Sequence, residues 1–177
     1  MRKALWLFSV LVLTVFAVVG CGLQSGSSME NQTSDAAAGT GITVGKIMPA
    51  FSAKNPDGNT VEVGMHGRPY ILNFWATWCP PCQAEFPEMN AFANSHTADV
   101  RFYAINVQES GDQVTAFLNA NGYSLPVLLD KDGSIASQFH VQAIPTTLVV
   151  DAQGVIRYRK SGGATAEELE NVLKSLK

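Results

Sequence analysis

Two cysteines, Cys79 and Cys82, are held apart by Pro80 and Pro81 in the stretch Trp78-Cys79-Pro80-Pro81-Cys82. Sulfurs at this spacing can make and break a disulfide. One thiolate attacks a partner's disulfide and the other resolves the mixed disulfide that forms. Placement matters more than spacing. The apolar run Tyr70–Trp75 reads as a buried strand. Pro81 to about Ser95 reads as a helix with Phe86, Met89, Phe92 and Ala93 on one stripe. The pair therefore falls where a strand ends and a helix begins. A helix N-terminus has unpaired N–H groups and partial positive charge, both of which stabilise a thiolate. A lowered pKa activates Cys79 as the nucleophile. Cys82, one turn further in, is placed to release the partner. Pro80 and Pro81 stiffen the loop, and proline costs little at the first helical positions because its missing N–H has no partner there.

Two plainer readings compete. Half of a zinc site would need more ligands, but the domain has no other cysteine, and His66, His96 and His140 are scattered singly. An inert structural disulfide would not need the strand-to-helix position. No metal and no cofactor beyond the Cys79–Cys82 pair is expected. Nearby, Trp75 belongs to the buried strand and is expected in the core. Trp78, just before the nucleophile, is expected to shield it or dock substrate. Glu88 reads as a solvated helix residue.

The remaining elements must hold this pair in place. Phe51–Ala53, the turn Asn55-Pro56-Asp57-Gly58 and Thr60–Val63 predict a β-hairpin. Pro87 lies inside the first helical pattern and should kink it. Val100–Val107 is the next strand. Asp112–Asn121 is a helix with Val114, Phe117 and Leu118 inward, ended by Gly122. A short strand Pro126–Leu129 and a short helix Ile135–Phe139 follow. Strands Thr146–Val150 and Val155–Arg159 are joined by a turn at Asp151–Gly154. The last helix is Ala166–Leu176, with Thr165 as N-cap and Leu169, Val172, Leu173 and Leu176 facing in. This order argues an α/β fold with a mixed central sheet and helices on both faces.

Residues 1–41 stand apart from this domain, which is expected to span 42–177. Arg2 and Lys3 precede an apolar run, Ala4–Val19. At about 1.5 Å per residue the run is shorter than the roughly 30 Å hydrocarbon core, so a secretion signal fits better than a lasting transmembrane helix. It ends Val18-Val19-Gly20-Cys21. Small residues before a cysteine resemble the bacterial lipobox, which implies cleavage after residue 20 and lipid attachment at Cys21. Lipidation would also leave an even pair of cysteines in an exported protein. Residues 22–41 are Gly, Ser, Ala, Asn, Thr and acid, and read as a flexible tether spanning about 25 Å. Cleavage would change the net charge from −3 to −5. Neither value suits a nucleic-acid binder. The one tight basic group, Arg157, Arg159 and Lys160, reads as a solvated strand face.

The segment from Asn73 to Met89, with the Cys-Pro-Pro-Cys motif at its centre, resembles the active-site segment of the TlpA/ResA-like branch of the thioredoxin superfamily. The likeness extends from about Pro49 through Val127–Asp130, Ala143-Ile144-Pro145-Thr146-Thr147 and the Asp151–Gly154 turn. The resemblance implies a thioredoxin fold with an N-terminal β-hairpin and a central αβ insertion. It also implies a monomeric, lipid-anchored dithiol reductant on the outer face of the bacterial cell membrane. Its partners would be disulfides of exported proteins, such as apocytochrome c, and a membrane dithiol electron donor. Ile144-Pro145 matches the family's cis-proline loop, where the backbone beside the cysteines pairs with substrate. From the residues alone, a trans proline opening the next strand is equally open, since X-Pro bonds accept either isomer. In the ResA-like subgroup a glutamate at the position of Glu85 tunes the cysteines; otherwise Glu85 is an exposed first-turn acid stabilised by the helix dipole. Thioredoxin has a buried aspartate where this chain has Asn73, so proton handling would fall on Glu85, water or the second thiol. Three alternatives remain: a DsbA-type oxidase, a copper-binding or redox-inert module, and a peroxidase. Copper-delivering relatives space their cysteines one residue further apart, and a peroxidatic Pro-x-x-x-Thr-x-x-Cys setting is missing before Cys79.

Overall fold

The computed structural model describes residues 39–64 and 67–177. The expected signal, Cys21 and most of the tether lie outside the described residues, as does His66. Seven strands among those described form one sheet in the order β2-β1-β5-β4-β3-β6-β7. In chain order they are β1 (Phe51–Lys54), β2 (Thr60–Val63), β3 (Tyr70–Trp75), β4 (Arg101–Val107), β5 (Val127–Asp130), β6 (Thr146–Val150) and β7 (Ile156–Ser161). Four helices alternate with them: α1 (Pro80–Ser95), α2 (Gly111–Asn121), α3 (Ser134–Gln138) and α4 (Ala166–Ser175). No described helix is long and apolar enough to cross a membrane.

Strand β3 is buried at every position. It pairs in parallel with β4 and antiparallel with β6. Parallel pairing continues from β4 to β5, while β7 returns antiparallel on β6. The sheet is therefore mixed, as expected. The N-terminal hairpin extends its far edge, with β1 meeting β5 at a single register pair, Lys54 and Leu129.

Alternation along β3 divides the core into two layers. Ile71 and Trp75 face one way and pack with α1, α2 and α4 through Phe86, Met89, Val114 and Leu169. Tyr70, Leu72 and Phe74 face the other way and meet Met48, Phe51, Ile135 and Phe139. Helices thus cover both faces, unequally: three on the first, and the short α3 with the N-terminal segment on the second. Trp75 is fully buried, its ring 4.1 Å from that of Phe86 and 5.5 Å from that of Phe117. Burying such aromatics supplies much of the energy that fixes α1 and α2 over the end of β3.

Helix ends follow their caps. Gly122 closes α2 in the left-handed conformation, at φ 67°, where glycine meets no Cβ penalty. Ser110 and Thr165 open α2 and α4 with reciprocal capping boxes to Gln113 and Glu168. Pro87 lies inside α1, which nonetheless runs on as a single helix to Ser95.

The basic group on β7 faces solvent in part, Arg157 most of all, and is also paired. Each of its members has a partner. Arg157 pairs with Asp151 at 2.6 Å, Arg159 donates to the Phe139 carbonyl at 2.8 Å, and Lys160 grips both oxygens of Glu168 at 2.7 and 2.8 Å. An alternating pattern cannot reveal such partners, because they come from other elements.

Candidate active site

Cys79 is the N-cap of α1, with extended backbone (φ −88°, ψ 108°). Pro80 and Pro81 fill the first two helical positions, where a missing N–H leaves no bond unmade. The third position, Cys82, points its backbone N–H at the Cys79 sulfur, 3.3 Å away. A sulfur thus takes the capping role that a serine or aspartate oxygen usually has. No acidic residue lies in the first turn, so none competes with a Cys79 thiolate for the positive end of the helix. The two sulfurs are joined in a disulfide, with Cα atoms 5.2 Å apart.

Burial separates the two cysteines. Cys79 keeps 3% of its surface and Cys82 none. Around Cys79, Pro80 and Pro81 are exposed, and Trp78 is 66% exposed. Trp78 therefore does not pack into the core. On the other side lies the loop before β6. The Ile144-Pro145 bond is cis, as the resemblance implied, and the Ile144 carbonyl oxygen is 3.6 Å from the Cys79 sulfur. Cys79, Cys82, Pro80, Pro81, Ile144 and Pro145 therefore form one site. His140, at the end of α3, is exposed and not part of it.

Glu85 is not the exposed acid that its place in the helix also allowed. It is 7% exposed. Three residues after Cys82, it shares that residue's side of α1. One oxygen accepts from Asn73 Nδ2 at 2.8 Å, and the other from the Ala164 backbone N–H at 2.8 Å. Burial lifts its carboxyl above the usual range, against the pull of these two hydrogen bonds and of the Lys160 charge; Glu88 adds a smaller upward push. Asn73 also donates to Thr147 Oγ1 at 3.0 Å. Glu88 is exposed, as expected, yet accepts from the Ala166 N–H at 2.8 Å. Both α1 carboxylates therefore hold the segment that opens α4.

Two residues near the cysteines went unnoticed in the sequence. Glu109, buried after β4, accepts from the Thr77 N–H at 2.7 Å, from the Thr77 hydroxyl and from Asn106 Nδ2 at 2.7 Å. Gln83 donates its side-chain amide to the Thr77 carbonyl. The spacing of polar residues carries no signal for Glu109, which lies thirty-two positions from its partner.

Comparison with known proteins agrees with this geometry. Residues 44–159 match the model of the AhpC/TSA family. Sporulation thiol-disulfide oxidoreductase A of Bacillus subtilis is 32% identical over 70% of this chain and 78% of its own length. Thiol-disulfide oxidoreductase ResA of Bacillus thuringiensis is 30% identical over 99% of both chains. The crystal structure of StoA from Bacillus subtilis superposes with a TM-score of 0.63 at 31% identity, over 70% of this chain and 96% of that one. The helix-capping cysteine pair, the cis-proline beside it and these relatives place the chain in the AhpC/TSA family, as a thiol–disulfide oxidoreductase of thioredoxin fold.

Proposed function

We propose that this oxidoreductase reduces disulfides of exported proteins, apocytochrome c among them, with Cys79 as nucleophile and Cys82 as resolving thiol. The observation that carries the reading is the difference between the two sulfurs. Only Cys79 has any surface, and it sits at the helix end with an N–H aimed at it and a cis-proline loop beside it. In the dithiol state the Cys79 thiolate attacks a client disulfide and expels one client thiolate. Cys82 then attacks the Cys79 sulfur and expels the other. Two electrons pass to the client, and the enzyme is left as the disulfide. Glu85, one turn below Cys82, accepts the proton that Cys82 gives up as it becomes a nucleophile, a role suited to a carboxyl raised by burial. Trp78, Pro80, Pro81 and Ile144 form the surface against which the client chain lies, with Pro145 shaping the loop beneath Ile144.

The same reading places the enzyme outside the cytoplasm. Residues 1–20 direct export, a lipid on Cys21 anchors the chain to the membrane, and residues 22–41 tether the domain there. A membrane dithiol carrier returns it to the reduced state. Purifying Cys82→Ala from its own cells tests the central claim. Mixed disulfides on Cys79 with exported proteins are the expected result, and a protein free of adducts would overturn it. Equilibration with glutathione buffers tests direction: a potential near that of strong oxidases would make the enzyme an oxidant instead.

A further inference from the structure

The turn that presents Cys79 is gripped from outside its own helix. Thr77 is two residues before the nucleophile. Its N–H and hydroxyl both bind the Glu109 carboxylate, while its carbonyl accepts from Gln83. Glu109 is itself fixed. Asn106, fully buried at the end of β4, donates to it at 2.7 Å, and Ser110, the next residue, caps α2. Gln108 takes a positive φ of 60°, uncommon for a residue other than glycine, and its N–H is bound to the Asp130 carbonyl at 2.9 Å. This unusual backbone bends the chain just ahead of Glu109. Such outliers persist where the surrounding structure demands them, often beside functional sites. Along the turn, Thr77 is held inward, Trp78 is left in solvent and Cys79 returns to the cap position.

We propose that Glu109 is a positioning residue for thiol–disulfide exchange: through Thr77 it holds the β3–α1 turn so that the Cys79 sulfur stays at the N-cap of α1. The proposal rests on the reading of Cys79 as nucleophile. A carboxylate acting only through its charge would raise the Cys79 pKa, so its removal would lower that pKa. Loss of a clamp does the opposite, because a displaced sulfur loses the helix end and the Cys82 N–H. Glu85, the other carboxylate near the dithiol, is unchanged in every variant compared below.

The experiment measures insulin reduction and the pH profile of Cys79 alkylation in Glu109→Ala, Glu109→Gln and Thr77→Val, with thermal unfolding alongside. Glu109→Ala should slow reduction at least about tenfold and move the alkylation profile to higher pH. Glu109→Gln should stay within about threefold of the native rate, with its profile unmoved. Its amide oxygen can take both N–H donors while its NH₂ meets the Thr77 hydroxyl as acceptor. Native rate and profile in Glu109→Ala, or a shift to lower pH in both Glu109 variants, would overturn the clamp. If Glu109→Ala does not fold, Thr77→Val decides: slowed exchange in a stable protein supports the clamp, and unchanged exchange overturns it. Cys79→Ser in the same assay separates the two claims. Activity retained there sinks the nucleophile and the clamp together, whereas activity lost there with a native Glu109→Ala sinks the clamp alone.

Discussion

Asn73 and Glu85 meet inside the protein, the amide of one donating to the carboxylate of the other at 2.8 Å. The first comes from the central strand and the second from the helix that carries the cysteines. An acid buried against a neutral donor behaves differently from an acid buried against a cation, and the difference is measurable.

Glu85→Gln should change both stability and reactivity with pH. The folded carboxyl titrates above the ordinary value of 4.5 because it is buried. Its contribution is therefore fully present below that ordinary value and is lost as pH rises through the raised one. Native stability should fall across this window, and the glutamine variant should not share the fall. Denaturant unfolding at several pH values checks this. Removing the negative charge should also favour the thiolate and move Cys79 alkylation to lower pH. An unchanged alkylation profile would remove Glu85 from the chemistry.

Asn73→Asp should set two carboxyl groups within hydrogen-bond distance. Both cannot ionise together, so one of the pair should titrate well above neutral carboxyl behaviour. The variant should lose stability as pH rises, more steeply than the native protein. A native-like pH dependence in urea titrations would contradict the observed contact.

Lys160→Met should act on Glu85 from two strands away. Asn73, Thr147 and Lys160 are register partners across β3, β6 and β7, and so share the face that α1 covers. The Lys160 charge holds the Glu85 carboxyl down. Without it, the carboxyl should rise further, and the fall in native stability, which still begins near the ordinary value, should extend to higher pH. Carboxyl chemical shifts in a pH titration would show the change, and an unmoved midpoint would exclude the coupling.

Trp78→Ala should leave stability within about 0.5 kcal/mol, since the side chain is mostly in solvent. It should raise KM for a protein disulfide while sparing reduction of a small one. Phe86→Ala should instead cost stability and leave the preference between the two substrates unchanged. That ring is almost wholly buried, 4.1 Å from Trp75, and its loss should cost about 3–5 kcal/mol. Chemical denaturation of the two variants separates a docking surface from a packing residue.

Much of this was legible in the residues themselves. Periodicity located every helix and strand to within a few positions, and Thr165 and Gly122 marked helix ends by the chemistry of their side chains. The cysteine pair was visible because its partners are three residues apart. What was not legible depends on contacts between distant segments. Nothing near Glu109 signals that its carboxylate turns back to Thr77, since Gln108 has no glycine's freedom to suggest the bend. Glu85 looked equally suited to solvent, because only the return of Ala164 from the far end of the chain encloses it. Of the basic residues on β7, only Arg159 reaches a distant segment, the Phe139 carbonyl twenty positions away. The hairpin was recognisable, but its seat on β5 rests on one register pair that leaves no local trace.

The inaccessibility of Cys82 bears on how the enzyme would withstand peroxide. An oxidant reaching the reduced protein meets only Cys79 and converts it to a sulfenic acid. The sheltered neighbour can then condense with that sulfenate, expelling water and regenerating the ring of the resting disulfide before irreversible sulfinic or sulfonic acids accumulate. Damage would thus be channelled into a species that the ordinary catalytic cycle already repairs.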